Sequence, residues 1–427
     1  MPRPHPDPRT AQKNAIPRLR VPDSTLSLLR EGYGFISRRC DRLGTDAFRT
    51  RLMGSRVVAM RGGEAARLVY DSGRFGRWKA MPVLTLRLLQ DHGSVQLLEG
   101  GAHRVRKGMF LDLMTPPALD RARTILAREF RIAAGRWRER GEVVLMPAFR
   151  EILTRTACAW ASVPLAEEEV APRVREFGAM TDAAGSVGPA NWRAQRLRNR
   201  SEAWARALID RVRSRAIAPG PDSPLAVIAN HRDSNGALLD RDHAGVELLN
   251  LLRPTVAIDR FLTFTALALH QHPHWAEAFA GGNEGDIRPF VQEVRRTTPF
   301  FPAIGARAME ATEWHGHRFA AGDWVILDLY GTNRHPGLWE SPESFRPERF
   351  RDWQGDPFTL IPQGGGHFED GHRCPGEWLT IALMEEAVRF LTRGIRYMVP
   401  PQDLSVPLSR MPTQPRSGMV IRAVRLA

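Results

Sequence analysis

The chain has 427 residues, of which 43% are hydrophobic and 25% are charged, a composition typical of a soluble globular protein with a substantial core. The formal net charge is +14, but the basic residues are spread along the chain and no nucleic-acid-binding signature accompanies them. We therefore expect a solvated basic surface and no nucleic-acid partner. The three cysteines are far apart, which excludes a disulfide framework or a zinc site and favours a reducing, cytoplasmic location.

Residues 1–22 are rich in proline and basic residues and contain no apolar run. This composition predicts a flexible arm over the surface, because a signal peptide or a membrane anchor needs an apolar segment. The chain contains no run of about eighteen apolar residues, so no membrane span is expected. The remainder, residues 23–427, is predicted to form a single domain.

Most of this domain is predicted to be helical, because apolar residues recur three and four positions apart. The predicted helices include residues 23–32, 62–71, 103–113, 116–138, 191–217 and 376–392. A strand pair over 47–52 and 56–60 is expected to turn at Gly54 and Ser55, and further strands are expected between residues 306 and 329. The predicted fold class is mainly α, one large helical domain with small peripheral β-sheets.

Residues 94–107 contain polar groups before and within a predicted helix. Gln96 lies in the preceding loop, and His103 and Lys107 lie one turn apart on the helix itself. The residues alone leave open whether these are an ordinary polar loop residue and two surface cations or parts of a site.

The segment 245–270 is apolar nearly all round, which predicts one long buried helix. Arg253 lies near its middle, and the residues one turn away are not acidic. An unpaired buried charge costs several kcal/mol, so Arg253 needs a carboxylate, either from elsewhere in the fold or from a ligand. Pro254 removes a backbone donor and frees the carbonyl of Asn250, so the helix should kink there. The residues alone leave open whether this is a structural ion pair with an incidental kink or a binding site.

Three later elements follow in a fixed order. Glu293 and Arg296 form a one-turn pair in Glu-Val-Arg-Arg, and residues 345–350 read Phe-Arg-Pro-Glu-Arg-Phe. Residues 362–378 then form a glycine-rich loop that places Cys374 just before a helix. Amide dipoles at a helix start favour a thiolate, which is a good axial ligand for haem iron. A single such cysteine is more often inert, and a one-turn ion pair is common on surfaces.

Together these elements resemble the cytochrome P450 superfamily of haem-thiolate proteins. The resemblance implies a cytochrome P450 fold that binds haem b (iron protoporphyrin IX) with Cys374 as the iron ligand. It also implies that Glu293 and Arg296 pair with Arg349 behind the haem. The loop departs from the usual pattern, in which Phe stands seven residues and Arg two residues before the cysteine, because Phe368 and Arg373 are each one position closer.

Arg253 and Pro254 look to stand where the superfamily usually has an acid and an alcohol, which resembles its fatty-acid peroxygenase branch. The sequences Arg296-Thr-Thr-Pro-Phe-Phe-Pro302 and Gly371-His-Arg-Cys-Pro-Gly-Glu-Trp378 also resemble that branch. The resemblance implies hydroxylation of a long- or medium-chain fatty acid at the α or β carbon by hydrogen peroxide, with no redox partner. The substrate carboxylate, paired with Arg253, would be the acid–base group.

The resemblance also assigns roles to other polar residues. Gln96 stands where decarboxylating members have His, so hydroxylation is favoured over alkene formation. His103 and Lys107 match the propionate-binding pair, and Arg307 and His372 are further candidates for that role. The alternatives are a fatty-acid decarboxylase, a conventional monooxygenase that depends on a redox partner, and a non-catalytic haem- or fatty-acid-binding protein.

Overall fold

Helices form most of the structure, a computed structural model that describes residues 16–71, 73–91 and 93–427. The α-helices are α1 (Thr25–Glu31), α2 (Phe35–Leu43), α3 (Gly63–Asp71), α4 (Val83–Leu89), α5 (Gly100–Asp112), α6 (Pro116–Arg140), α7 (Leu145–Trp160), α8 (Glu167–Asp182), α9 (Pro189–Arg213), α10 (Pro224–Asn230), α11 (Arg241–Val256), α12 (Asp259–Gln271), α13 (Pro273–Ala280), α14 (Ile287–Thr297), α15 (Leu329–Thr332) and α16 (Glu377–Arg389). Short 3₁₀ helices cover Gly32–Gly34, Val95–Leu97 and Pro347–Phe350, and a π-helical turn covers Phe390–Gly394. The predicted fold class is confirmed.

Three small sheets lie beside the helices. The strands are β1 (Ala47–Leu52), β2 (Ser55–Met60), β3 (Phe75–Gly76), β4 (Glu142–Val144), β5 (Ala303–Ala308), β6 (Thr312–Trp314), β7 (His317–Phe319), β8 (Trp324–Asp328), β9 (Ile395–Met398) and β10 (Val420–Leu426). The largest sheet has the order β1-β2-β8-β5-β3, and the others are β4-β10-β9 and β6-β7. In the largest sheet β2 and β8 are parallel and the other neighbours are antiparallel. The predicted hairpin over β1 and β2 is confirmed, with Leu52 paired to Ser55 across the turn.

The predicted N-terminal arm lies mostly outside the described residues, which begin at residue 16. Within the described part, the chain is anchored earlier than the predicted boundary at residue 22. Ile16 is buried, and the segment after it pairs with β1 through Arg49, whose N–H donates to the Pro17 carbonyl at 2.7 Å. Burial of one isoleucine and edge pairing with the strand hold this segment to the sheet.

The main hydrophobic core is formed by α6, α7, α11, α12 and α16 together with neighbouring helices. Nearly all side chains of α11 and α12 are buried, as their apolar sequence predicts. The prediction of one continuous helix over 245–270 is wrong, because a turn at Ala257 and Ile258 separates α11 from α12. Pro254 lies one turn before this break and cannot donate to the Asn250 carbonyl, which weakens the helix there. None of the described helices is both long and apolar enough to cross a membrane.

Candidate functional site

The loop that carries Cys374 is shaped by its glycines. Gly364 and Gly366 have φ values of +93° and +87°, a region that favours glycine. The loop also lies against Tyr70 of α3, so closely that a Cβ at Gly366 would stand 2.9 Å from the tyrosine Cβ. These constraints bring the chain back on itself and place Cys374 directly before α16, where the Cys374 carbonyl accepts the Glu377 N–H at 3.3 Å.

A hydrogen-bonded group surrounds the Cys374 sulfur. Gln363 Nε2 lies 3.9 Å from Sγ and donates to Thr380 Oγ1 at 3.0 Å. The other end of this amide accepts from Arg295 at 3.1 Å, and Arg295 also binds Glu377 at 2.6 Å. Such partners orient a ligand and tune its basicity.

From the sequence, the helix start is expected to favour the Cys374 thiolate. In the structure, burial dominates and raises the pKa of this thiol to about 11, although the Gly376 N–H lowers it. A coordinating metal cation reverses this balance, since a ligating thiol is deprotonated outright. A thiolate at Cys374 would therefore depend on a coordinated metal cation more than on the helix start.

The predicted triad behind the cysteine loop is present. Glu293 and Arg296 form a bidentate pair at 2.7 Å with both side chains fully buried. Arg349 Nε lies at ion-pair distance, 3.3 Å, from Glu293. Arg296 also donates to the carbonyls of Asn333 and Pro342, so the triad fixes the loops between α15 and the cysteine.

Arg253 is a buried cation without an acidic partner. Its side chain is only 5% exposed, and its Nη2 donates to the Leu89 carbonyl at the end of α4. Among the described residues no carboxylate forms an ion pair with Arg253, and its buried Nε has no hydrogen-bond partner. Burial, followed by the charge of Arg198, lowers the pKa of Arg253 to about 9, while Cys374 acts in the opposite direction. Of the two possibilities that the sequence left open, the structural ion pair is absent from the described residues.

Gln96 lies in the Val95–Leu97 turn, which packs beside α11. Its Oε1 accepts a long hydrogen bond from Asn250 Nδ2 at 3.4 Å. Asn250 precedes Arg253 by three positions, so the two side chains are one helical turn apart. In the structure, the predicted residue Gln96 therefore lies beside α11, the helix that carries Arg253 and Pro254.

Three of the four predicted propionate ligands lie together. The His103 and His372 rings are 4.2 Å apart, and Lys107 donates to the Gly371 carbonyl. Burial is the main cause that lowers the pKa of His103 to about 4 and that of Lys107 to about 8. Arg307 instead donates to the Lys79 and Gly322 carbonyls at 2.8 Å, which leaves its guanidinium engaged elsewhere.

Arg77 is a cation in this cluster that sequence reasoning missed. It is 6% exposed, donates to the Gly305 carbonyl at 2.8 Å, and stacks over the Tyr70 ring at 4.8 Å. Its Nε and Nη2 are buried without a hydrogen-bond partner. Its positive charge contributes to lowering the pKa of His372, after burial as the main cause. Glu99 links the two residues, since it accepts the Arg77 N–H at 2.6 Å and lies 3.1 Å from His372 Nε2.

These residues fit a haem group. Cys374 offers a sulfur ligand, and the free donors of Arg77, together with His103, Lys107 and His372, match the two carboxylates of the porphyrin. Burial is the main cause of the lowered pKa values of His103, Lys107 and His372, and anionic propionates would act in the opposite direction.

Comparisons with known proteins agree with this geometry. A sequence model of the family "Cytochrome P450" matches residues 287–403. Cytochrome P450 71D18 of Mentha gracilis is 34% identical over 103 residues, which is 23% of this chain and 20% of that protein. The chain thus aligns with about a fifth of the length of this curated relative.

Solved structures match over nearly the whole chain. A variant of cytochrome P450SP alpha (CYP152B1) is 44% identical with a TM-score of 0.93, covering 95% of this chain and 100% of that one. Cytochrome P450EX alpha (CYP152N1), solved with myristic acid, is 39% identical with a TM-score of 0.92, covering 97% and 100%. A variant of cytochrome P450 OleT in complex with arachidonic acid is 32% identical with a TM-score of 0.94, covering 97% and 99%. The chain belongs to the cytochrome P450 superfamily and, within it, to the fatty-acid peroxygenase branch.

Proposed function

We propose that this protein is a haem-thiolate peroxygenase that hydroxylates fatty acids at the α carbon, the β carbon or both, with hydrogen peroxide as oxidant and no redox partner. The observation that carries the proposal is Arg253, a buried guanidinium that no carboxylate of the described residues neutralises. The structural neighbours solved with myristic and arachidonic acid support a fatty acid as its counter-ion.

Arg253 is suited to anchor a carboxylate. The bond from Nη2 to Leu89 holds the guanidinium in place while Nε remains free. A guanidinium presents parallel donors that match the two oxygens of a carboxylate. Because the pKa of Arg253 is lowered only to about 9, the side chain is charged at neutral pH. A free fatty acid would therefore be preferred over a neutral ester.

The chain lacks its own acid at the position where the superfamily usually has one. Haem bound through Cys374 supplies the oxidising chemistry that uses peroxide. Arg253 does not release a proton at neutral pH and Pro254 has no proton to give, so the carboxylate held by Arg253 is the acid–base group. The same ion pair fixes the Cα and Cβ hydrogens at a short distance from the anchor. The reaction balances as fatty acid plus hydrogen peroxide giving hydroxy acid plus water.

The remaining assignments follow from the local contacts. We assign haem b to the site, with Cys374 on the iron and His103, Lys107, His372 and Arg77 near the propionates. Arg307 is left out of this assignment, because Nε and Nη1 of its guanidinium already donate to backbone carbonyls. A cytoplasmic location is part of the proposal.

In this proposal, Gln96 is the residue that favours hydroxylation over decarboxylation of the fatty acid. Its amide cannot exchange protons as an imidazole can, so alkene formation is expected to be minor.

The test is an anaerobic incubation of the haem-loaded protein with myristic acid and hydrogen peroxide, followed by product identification. We expect 2- or 3-hydroxymyristic acid, no product from methyl myristate, and no product from Arg253→Met. Exposed Arg138 on α6 provides a matched control, because Arg138→Met should retain wild-type activity. Activity that requires a reduced nicotinamide cofactor and redox proteins, with none from peroxide, would refute the proposal.

A further inference from the structure

Glu247 is a fully buried carboxylate that joins three elements around the site. It lies on α11, the helix of Arg253, and is 0% exposed. Its Oε1 accepts the Val95 N–H at 2.8 Å and Arg106 Nη1 of α5 at 2.8 Å. Its Oε2 accepts Asn250 Nδ2 at 3.0 Å. One side chain thus ties the turn that carries Gln96 and the helix that carries His103 and Lys107 to the helix that carries Arg253.

The contacts of Glu247 hold Gln96 from two sides. Val95, which donates to Glu247, is its neighbour in the chain, and Asn250, which also donates to Glu247, reaches Gln96 Oε1 at 3.4 Å. The Gln96 amide nitrogen forms no hydrogen bond with the described residues and so remains available as a donor. The orientation of this amide relative to Arg253 therefore depends on the Glu247 carboxylate.

Arg106 is the cation that contacts Glu247. Arg106 is 3% exposed and binds Asp233 through two nitrogens at 2.6–2.9 Å on its other side. Burial raises the pKa of Glu247, whereas Asn250, Arg106 and the Val95 N–H lower it. A buried ion pair is often no more stabilising than an apolar contact of the same volume, so stability alone does not account for a carboxylate here. The distinctive contribution of Glu247 is to position its neighbours, because a carboxylate accepts several directed hydrogen bonds at once.

We propose that Glu247 is a positioning residue that sets product selectivity by fixing Gln96 relative to the carboxylate anchor Arg253. This inference rests on the proposed function. It predicts that weakening Glu247 changes the ratio of 2-hydroxy acid, 3-hydroxy acid and alkene, while the carboxylate anchor remains intact.

The test compares Glu247→Gln, which keeps the volume but removes the charge, with Glu176→Gln. Glu176 is a matched control, since it is a buried helical glutamate paired with Arg173 at 2.6 Å and does not contact the Gln96 turn. We expect Glu247→Gln to change the product ratio by about threefold or more, as coupled polar neighbours do, with KM for the fatty acid within about twofold of wild type. Glu176→Gln should lower stability without changing the ratio. An unchanged ratio in Glu247→Gln, or an equal change in Glu176→Gln, would overturn the inference.

Two further measurements establish the route of the effect. If Glu247 acts through Gln96, the double variant Glu247→Gln/Gln96→Ala should have the product ratio of Gln96→Ala alone, and additive changes would contradict this. Amide hydrogen exchange of residues 93–98 should accelerate in Glu247→Gln and not in Glu176→Gln, a readout independent of turnover. If wild-type protein forms no product, the proposed function fails, while the exchange experiment still decides whether Glu247 holds the turn.

Discussion

Replacing Arg253 with methionine should make the protein more stable while removing fatty-acid binding. Taking a charge out of water costs several kcal/mol in real proteins, and no carboxylate of the described residues offsets this cost for Arg253. The substitution also deletes the hydrogen bond to the Leu89 carbonyl, a loss of about 1–3 kcal/mol if that carbonyl stays dry. The net expectation is a free energy of unfolding higher by about 1–3 kcal/mol than in wild type.

Binding should change in the opposite direction. Breaking a buried ion pair by removing one partner costs about 3–5 kcal/mol, which is a loss of about two to four orders of magnitude in affinity for the fatty acid. The assay is urea denaturation of both proteins with and without myristic acid. A ligand that binds only the native state stabilises it in proportion to its affinity, so the fatty acid should raise the stability of wild type and not that of Arg253→Met.

Two outcomes would refute this reasoning. If Arg253→Met is less stable than wild type, the arginine is a satisfied structural group and its burial is not a cost. If myristic acid stabilises both proteins equally, the carboxylate is anchored elsewhere. Arg260→Met gives the opposite control, because Arg260 is buried and paired with Asp182 at 2.6 Å, so its removal should destabilise the fold.

Three further predictions concern the haem contacts and selectivity. Arg77→Met should weaken haem retention by about tenfold or more, the loss expected for charge-assisted hydrogen bonds, whereas Arg307→Met should not weaken it. The measurement is the rate of haem transfer to an acceptor protein, and equal losses in the two variants would contradict the assignment. Gln96→His should raise the alkene share among the products, since imidazole can exchange protons; an unchanged share would remove Gln96 from the selectivity argument. Burial lowers the pKa of Lys107 to about 8, so above that pH the unfolded haem-free chain binds a proton that the folded one does not, and stability rises with pH. Urea denaturation of haem-free protein between pH about 7 and about 10 should show this gain in wild type and not in Lys107→Met, and parallel curves would rule it out.

The parts of the site that sequence predicts are those carried by local residue order. Cys374, the Glu293–Arg296 pair and Arg253 each occupy a short recognisable segment, and the helix and hairpin patterns around them were sufficient for the fold class. Arg77 was not predictable, because an arginine after a two-residue strand has the appearance of a surface cation. Its burial involves Tyr70, seven residues earlier, and Gly305, which is distant in the chain.

The break between α11 and α12 shows a different limit of prediction from the sequence. The apolar pattern continues through Ala257 and Ile258, so periodicity alone predicts one helix. Whether a proline bends a helix or ends it a turn later depends on how neighbouring groups satisfy the freed carbonyls. In this helix Thr255 Oγ1 donates back to the Leu251 carbonyl at 2.8 Å, a local bond that competes with the regular helical ladder.

The absence of an acidic partner for Arg253 among the described residues is a property of the tertiary structure. Glu247, the acidic residue of α11 nearest to Arg253 in the sequence, is bound by residues of other elements. Both oxygens of Glu247 accept hydrogen bonds, from Val95 and Arg106 on one side and from Asn250 on the other. Glu247 is therefore engaged by other partners, and no ion pair joins it to Arg253 among the described residues. Because Arg106 binds the carboxylate that contacts the Gln96 turn, we expect loss of Arg106 to disturb selectivity through Glu247. Under the proposed function, in which the substrate supplies the acid, Arg253 has to remain free of the protein's own carboxylates, and the Glu247 carboxylate of the same helix is held by Arg106 instead.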